Sequence, residues 1–524
     1  MNLNIIFKKK FLFITFLFFF SFLFNQYYGN RGVFPTDSFS HFDTGYRILI
    51  GEYPFKDYWI VSGPVIDYIQ SLFFYLFGIN WQAYVFHASL FNSILTITTF
   101  LILMSFNLNI IYSFIYSILF SILAYPVSGT PFVDLHSTFF SLLAIYSLIM
   151  AIKKEKEIYW ILFPMLIGLA FFSKQVPTIY IATCIFFILF FFSILKKKFY
   201  WIKYSLLGAF LFFILIFLVG YISGIKFNSF LEQYIYYPQS VGESRFKSFN
   251  FTFRGVVDHF KYIYLAILPF FYLNLKKIFF EKNYLKKNDF YYFLCIFFLT
   301  FSLIVHQLLT KNQTFIFFLI PILMAFSHIN LNSYNISVSR VIFSCMILIC
   351  TVIVIKYHLR FNENRKFHEL NQVNFELSIP AKSISDKFVG LKWITPKFKE
   401  NPKQEIEFLN EAKFYLDKDN RNKMLITNYS FFSATLDQKL FSPSRWWHGD
   451  GSSYPKKNNQ YFIKFKNLWL DLVKKNDVKV IYTIFSSENP NIVYKYIDKN
   501  CFIETKVTKF LRSYELKSCD EING

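Results

Sequence analysis

The sequence is poor in cysteine, in acidic residues and in glycine-rich segments, and each shortage bears on the kind of site to expect. Only 6 of its 524 residues are cysteines, and no CxxC or CxxxxH spacing occurs, so we predict no metal centre. No glycine-rich segment of the kind that holds the phosphates of a nucleotide is present. The 33 acidic residues are outnumbered by 55 basic ones, which gives a formal net charge of +22.

Long apolar runs are what the chain has in abundance. Its residues are 54% hydrophobic and 23% aromatic, and the mean hydropathy is +0.36. The first run, within residues 8–24, begins with lysines as a signal peptide does, but no cleavage site follows, so we predict an uncleaved first span. The recurrence of runs of about 18 to 20 residues predicts a polytopic α-helical membrane protein with about eleven transmembrane helices. The other ten are predicted near residues 84–106, 110–125, 135–152, 158–172, 178–195, 204–222, 261–275, 290–308, 315–330 and 340–356.

The excess positive charge lies between these apolar runs. Four basic clusters occupy residues 8–10, 153–156, 196–198 and 276–287. Basic loops mark the cytoplasmic side of a membrane protein, so we interpret the charge as a topology signal and predict no nucleic-acid partner. With a cytoplasmic N-terminus and an odd number of spans, the chain after Lys356 is predicted to lie outside the inner (plasma) membrane.

The composition changes near residue 357 to mixed polar and charged. Residues 423–432 and 478–485 are predicted strands, and residues 403–418 and 459–475 have the apolar spacing of helices. We therefore predict a membrane domain at 1–356, with its first external loop at 30–82, and a small extracytoplasmic α/β domain at 357–524. Cys501 and Cys519 in this tail form a disulfide if the tail faces an oxidising compartment, which the sequence leaves open.

The loop after the first span, "PTDSFSHFDTGYRILIGEYPFKDYWIVSGP" (35–64), is unusually rich in acids. We predict a short helix capped by Asp37 or Ser38 that ends before Gly51. A second helix is predicted over 65–78, and both are expected to lie along the membrane surface. Each acid also has a simple structural explanation: Asp37 as a cap, Asp43 in a surface pair with Arg47, and Asp57 in a solvated turn.

The order of motifs in the first 200 residues forms a pattern. The loop reads D-x(13)-G-x-x-P-[FY]-x-D-[FYW], then "GP", and "FGINW" follows the second short helix. Its elements here are Asp37, Gly51 to Phe55, Asp57 to Trp59, Gly63-Pro64 and Phe77-Gly78. The pattern, with "TPFVDLHSTFFSLLAIYSL" (130–148) and "IGLAFFSKQVP" (167–177), resembles the GT-C class of multi-spanning glycosyltransferases. Within that class it is most similar to the bacterial protein mannosyltransferase and aminoarabinose transferase group, and the later helices resemble it by topology alone.

This resemblance implies an enzyme that moves a sugar from a polyprenyl-phosphate carrier to an envelope lipid, polysaccharide or protein outside the cytoplasm. Asp37 lies fourteen residues before Gly51, where the group carries its catalytic acid, and is our first choice as general base. Many relatives have Asp-Glu at this point, whereas this chain has Asp37-Ser38, so Asp43 is the second choice. A partly desolvated carboxylate suits the role because burial raises its pKa toward neutral pH.

Cations outside the membrane are candidates for binding the phosphate that leaves with the carrier. We predict Lys174, Arg254 and Lys311 in this role, with His259 and His306 as further candidates, although a solvated or snorkelling side chain is the more common explanation for each of them. Asp134 and His136 are predicted to bind either the acceptor or a divalent ion. We predict no other cofactor. Acceptor binding is also predicted for Trp446 and Trp447 in "SPSRWWHGDGSSYP" (442–455), for which a packed loop is the alternative.

Two functions of other classes stay open at this point. A flippase of lipid-linked glycans would carry charges within its spans, whereas the acids here are concentrated in the loops and the tail. A non-catalytic envelope assembly protein would need its tail but not Asp37. A ligase that transfers a whole glycan block would share every feature of a single-sugar transferase.

Overall fold

The computed structural model of the chain describes residues 3–247, 252–310, 315–333, 340–485 and 491–519. Its α-helices are α1 (Leu3–Gly29), α2 (Pro35–Ser38), α3 (Ser40–Leu49), α4 (Pro64–Phe77), α5 (Trp81–Ser105), α6 (Ile110–Leu123), α7 (Val133–Lys154), α8 (Glu157–Ser173), α9 (Gln175–Lys196), α10 (Trp201–Ile222), α11 (Phe227–Phe230), α12 (Tyr237–Lys247), α13 (Lys261–Phe280), α14 (Asn288–Leu309), α15 (Leu319–Ser333), α16 (Arg340–Tyr357), α17 (Pro402–Lys418), α18 (Phe432–Leu436) and α19 (Phe462–Lys475). Its strands are β1 (Ile379–Pro380), β2 (Lys392–Trp393), β3 (Lys423–Thr427), β4 (Val480–Ile484), β5 (Phe502–Lys506) and β6 (Leu511–Leu516).

The polytopic helical fold predicted from the apolar runs is confirmed. Within the described residues, nine helical segments are long and apolar enough to cross a membrane. One of them, Ile110–Val127, combines α6 with the short 3-10 helix that follows it. The two other predicted spans are also helices, but α8 has 17 residues and α15 has 15. At a rise of 1.5 Å per residue these helices reach only about 22 to 26 Å, which is shorter than the hydrocarbon core of an average bilayer.

The chain divides into two compact units, and most of the apolar helices lie in the first. That unit comprises Met1–Gly29, Val85–Ile216 and Phe249–Phe367. Its helices are joined by buried polar contacts as well as by packing: Ser21 donates to Ser93, and the Asn25 amide donates to Ser89 at 2.9 Å. Such contacts stabilise helix pairs in a membrane, where burial of apolar surface contributes little to helix association.

The second unit comprises Asn30–Tyr84, Phe217–Ser248 and His368–Gly524. Its sheet has the order β3-β4-β6-β5, with β3 and β4 parallel and the other pairs antiparallel. The strands and helices predicted for the tail are confirmed as β3, β4, α17 and α19. Cys501 and Cys519 form a disulfide. The predicted division at residue 356 concerns placement across the membrane and stays a prediction.

The opening loop and the tail are parts of this same second unit. The backbone N–H groups of Gly32 and Val33 donate to Lys392 and Ile394 at 2.9 and 3.0 Å. The backbone N–H of Trp59 donates to the Pro443 carbonyl at 2.8 Å. Tail residues therefore hold both ends of the loop that carries the acids.

The loop forms two helices where the sequence predicts one. Pro35 begins α2, because its fixed φ and missing N–H suit the first turn of a helix, and α3 then begins at Ser40. The predicted cap at Asp37 or Ser38 is therefore wrong: neither helix has a side-chain cap, and Asp37 lies inside α2. The predicted end of the helix before Gly51 is confirmed, since α3 ends at Leu49 and Gly51 follows it with φ +83°. The second predicted helix is α4.

Candidate active site

Helix α3 is polar, and yet all of its residues except the last are buried. Every residue from Ser40 to Ile48 is buried, including His41, Asp43 and Arg47. A helix of this composition is stable in a protein interior only if its charged groups find partners there. The partners come from α4, from the turn after α3 and from the tail loop at 442–447.

Among the described residues, no cation lies within hydrogen-bond distance of the buried Asp43 carboxyl group. The nearest nitrogen of Arg47 is 4.0 Å away, and the Arg47 Nε instead donates to Glu52 at 2.7 Å. Burial raises the pKa of Asp43 to about 7, and Glu52 adds to this rise, whereas Arg47 and a hydrogen bond from Ser433 oppose it. The predicted surface pair of Asp43 and Arg47 is therefore wrong in its setting, because both side chains are buried and Arg47 bonds mainly elsewhere.

Arg47 connects the opening loop to the tail. Its Nη2 donates to the Ser442 carbonyl at 2.9 Å, and its guanidinium lies 4.2 Å from the centroid of the Tyr58 ring. A buried guanidinium needs several such acceptors because leaving it unpaired is costly. Arg47 thus fixes the turn after α3 against the loop that precedes Arg445.

A second buried group joins α3, α4 and the tail through Asp67. The His41 Nδ1 lies 2.6 Å from Asp67 Oδ1, and Arg445 Nη1 lies 3.1 Å from Asp67 Oδ2. The three side chains are 0%, 0% and 1% exposed. Thr44 also donates to Asp67 at 2.5 Å. Burial lowers the pKa of His41, although Asp67 acts in the opposite direction; a neutral His41 that donates through Nδ1 fits this site.

The sequence analysis missed this second group. Asp67 is the one charged residue of α4, and Arg445 stands beside two tryptophans in the tail. An isolated charge in an apolar helix was the available signal. Its partner lies 378 residues away, which no local spacing can indicate.

Asp37 and Asp57, the other loop acids, differ in how they are held. Asp37 is half-buried in the short helix α2, so part of its side chain reaches the surface of its unit. Asp57 is buried, accepts from the Tyr53 backbone N–H at 2.9 Å, and accepts from Lys475 at 3.2 Å. The solvated turn predicted for Asp57 is therefore wrong, since a helix of the tail contributes its counter-ion.

In the first unit the structure brings together two residues that the sequence assigned to different roles. Lys174 Nζ donates to Asp134 Oδ1 at 2.6 Å, and His306 Nε2 lies 3.5 Å from the same oxygen. Asp134 lies in the first turn of α7. His136, two residues later, contacts the Tyr125 hydroxyl and lies 3.0 Å from His87.

The structure shows no shared contact for the other residues predicted to bind phosphate or acceptor, among those that it describes. Arg254 is exposed in a single helical turn, Arg254–Asp258, and Lys311 lies outside the described residues. Trp446 is half-buried with the Arg445 guanidinium 3.9 Å above its ring. Trp447 is buried against Tyr454 and Trp469. In the parts of the chain that the structure describes, no group of three metal-ligating side chains is found.

The many apolar helices define a polytopic α-helical membrane protein, and a family comparison narrows the class. Residues 61–217 match the family model described as dolichyl-phosphate-mannose-protein mannosyltransferase. The match confirms the predicted resemblance to GT-C glycosyltransferases and supports a membrane glycosyltransferase of the mannosyltransferase type. It runs from the end of the opening loop into α10, so Asp37, Asp43 and Asp57 lie outside it. No curated protein matches the chain significantly.

Proposed function

We propose that the protein transfers a sugar from a polyprenyl-phosphate-linked donor to an acceptor on the extracytoplasmic side of the inner membrane. The family match over 61–217 carries this proposal. It covers α4 to α9, which follow the acid-rich loop directly in the chain. A lipid-linked donor reaches its enzyme from the bilayer, which is consistent with apolar helices and with the missing glycine-rich nucleotide site.

Asp37 is the proposed general base, and Asp43 is the alternative. A base must reach the hydroxyl whose proton it accepts, and half-buried Asp37 keeps accessible surface whereas Asp43 is 6% exposed. The structure also removes the simplest competing explanation of Asp37, because it does not cap a helix. Asp43 has a pKa, about 7, that suits a general base near neutral pH. Whether Asp43 acts as the base therefore depends on whether a substrate can reach it.

Lys174 is the proposed partner of the leaving phosphate, with Arg254 and Lys311 as further cations. Asp134 orients the Lys174 ammonium at 2.6 Å and neutralises much of its charge. A phosphate that gains charge as the glycosidic bond breaks would compete for that ammonium. Asp37 and Lys174 belong to different units. We therefore propose the two roles separately, each from the contacts of the residue concerned.

The acceptor side is proposed to be extracytoplasmic. The disulfide between Cys501 and Cys519 supports an oxidising environment for the tail, and the four basic clusters support cytoplasmic loops. Tyr75 and Phe77 on α4 are 77% and 50% exposed, which suits a helix that lies at the membrane surface.

A comparison of envelope glycans by mass spectrometry tests the proposal. The strains are wild type, a deletion, and Asp37→Asn produced at the wild-type level in the membrane. Loss of the same sugar from the deletion and from Asp37→Asn is the expected result. A deletion that loses a sugar while Asp37→Asn keeps it excludes Asp37 as base. Accumulation of a complete lipid-linked glycan on the cytoplasmic side favours the flippase alternative instead.

A further inference from the structure

A cavity in the tail is a feature of the second unit that the proposed chemistry does not use. Its volume is about 480 Å³, within the range of about 300 to 1,000 Å³ that is usual for small-ligand sites. It lies between the segment from Trp447 to Asn458 and the turn that carries Tyr496. All of these residues belong to the second unit.

The charge of the cavity is of one sign. Lys456, Lys457 and Lys495 line it and are exposed. Among the described residues that line it, none is acidic. Three ammonium groups around one concave space repel one another, and an anionic ligand relieves that repulsion.

Aromatic rings provide a rigid wall beside these lysines. The ring centroids of Trp447 and Tyr454 are 5.0 Å apart, and those of Tyr454 and Tyr496 are 6.4 Å apart. The Tyr496 hydroxyl donates to the Pro455 carbonyl at 2.9 Å, which fixes the ring. These three side chains are 5%, 4% and 1% exposed, so the wall forms part of the packed core and keeps its shape without a ligand.

Two amide side chains also line the cavity. Asn428 follows strand β3, and Asn458 lies in the loop before α19. Each amide both donates and accepts hydrogen bonds, which matches the hydroxyl groups of a sugar. Aromatic faces, amides and cations together suit a ligand that is polyhydroxylated and carries negative charge.

We propose that this cavity binds a saccharide that bears a carboxylate or phosphate group, and that this saccharide is the acceptor glycan. The second part rests on the proposed function; the first does not. A cavity with a rigid aromatic wall favours a ligand that inserts into it over a flat layer of anionic headgroups. The acceptor is thus assigned a chemical class, an acidic glycan, with its binding site in the tail.

Titration calorimetry on the purified full-length protein in detergent tests the binding. The probes are tri-galacturonate, mannose 6-phosphate, inorganic phosphate and neutral maltotriose. The variant carries Lys456→Gln, Lys457→Gln and Lys495→Gln; its control carries Lys403→Gln, Lys479→Gln and Lys506→Gln, which are exposed lysines outside the cavity lining. We expect an acidic saccharide to bind, the cavity variant to lose about ten-fold or more in affinity, and the control to keep it.

Three results would overturn the proposal. Equal binding of maltotriose shows that charge is not recognised, and binding of inorganic phosphate as tight as that of mannose 6-phosphate shows that the sugar is not. Binding to vesicles with anionic lipid, without saccharide binding, assigns the lysines to the membrane surface.

The two proposals fail separately. Asp37→Asn is expected to bind the acidic saccharide as wild type does, while transfer in cells is lost. If a deletion leaves all envelope glycans unchanged but the saccharide still binds, the transferase proposal fails and the binding site stands. If transfer depends on Asp37 but no acidic saccharide binds, the cavity proposal alone fails.

Discussion

Asp43 and Asp134 are two buried carboxyl groups that differ in how close their cationic partners lie. Asp134, in the first unit, has the Lys174 ammonium at 2.6 Å and His306 at 3.5 Å. Asp43, in the second, has its nearest guanidinium nitrogen at 4.0 Å, and that guanidinium is committed to Glu52. One carboxylate is thus paired with a cation at hydrogen-bond distance, and the other has a pKa of about 7.

The difference lies in partners that are distant in sequence. Asp43 and Arg47 are four residues apart, the spacing of a helical ion pair, yet Glu52 in the following turn takes the guanidinium. Asp134 receives its cation from a residue forty positions away. Local spacing therefore identifies the charged residues but not which of them is paired, and the following substitutions test that distinction.

The largest effect is expected where a third carboxylate, Asp67, is deprived of its cation. Arg445→Met removes the cation beside the buried Asp67 and leaves it with His41 and Thr44 among the described residues, which should lower the free energy of unfolding by about 3 to 5 kcal/mol. Thermal unfolding of the purified protein measures the loss. Arg421→Met is the matched control, because its pair with Asp419 is 44% exposed on the arginine side and should change stability by about 1 kcal/mol or less. Equal effects of the two substitutions would contradict the account.

Removing Lys174 should deprive the buried Asp134 carboxylate of the cation at hydrogen-bond distance. Lys174→Met is expected to cost about 3 kcal/mol, slightly less than Arg445→Met because the lysine is 19% exposed. Adding Asp134→Asn should restore much of that stability, since no charge is then left buried. Unfolding of the single and double variants gives the coupling between the two residues. A double variant less stable than Lys174→Met would refute the pairing.

Asp43 should make stability depend on pH. Its pKa is raised in the folded state, to about 7, so its contribution is fully present below the pKa of the unfolded chain and is lost as pH rises through about 7. Between about pH 5 and about pH 8 the loss should be roughly 2 kcal/mol. Unfolding at several pH values, in wild type and Asp43→Asn, checks this. An unchanged slope in Asp43→Asn would assign the dependence to other groups.

The smallest effect is expected from a neutral partner. Thr44 donates to Asp67 at 2.5 Å, and Thr44→Val keeps the shape of the side chain while removing the donor. Asp67 still has His41 and Arg445, so the cost should be about 1 kcal/mol. Urea unfolding in detergent gives this value. A loss as large as that of Arg445→Met would mean that the hydroxyl, not the cation, holds Asp67.

The helices and strands of this protein are predicted well from its sequence because they depend on local patterns. Transmembrane runs are determined by length and hydropathy, and all eleven predicted segments are helices, with α8 and α15 shorter than a full span. The tail elements β3, β4, α17 and α19 follow from periodicity in the same way.

The site is less predictable because its contacts are not local. The pairing of Asp67 with Arg445 joins α4 to a tail loop, and Asp43 accepts a hydrogen bond from Ser433, which also belongs to the tail. The cap predicted at Asp37 failed because Pro35, two residues earlier, already begins α2. The cavity lined by three lysines unites residues from separate parts of the tail.

The most direct test of the central claim compares Asp37→Asn with Asp43→Asn in cells that produce both variants at the wild-type level. The measured quantity is the amount of the envelope sugar that a deletion strain lacks. The account predicts that Asp37→Asn lowers it about 100-fold or more, as loss of a general base does, while Asp43→Asn retains most of it. The reverse order, with Asp37→Asn active and Asp43→Asn inactive, would contradict the account and make Asp43 the base.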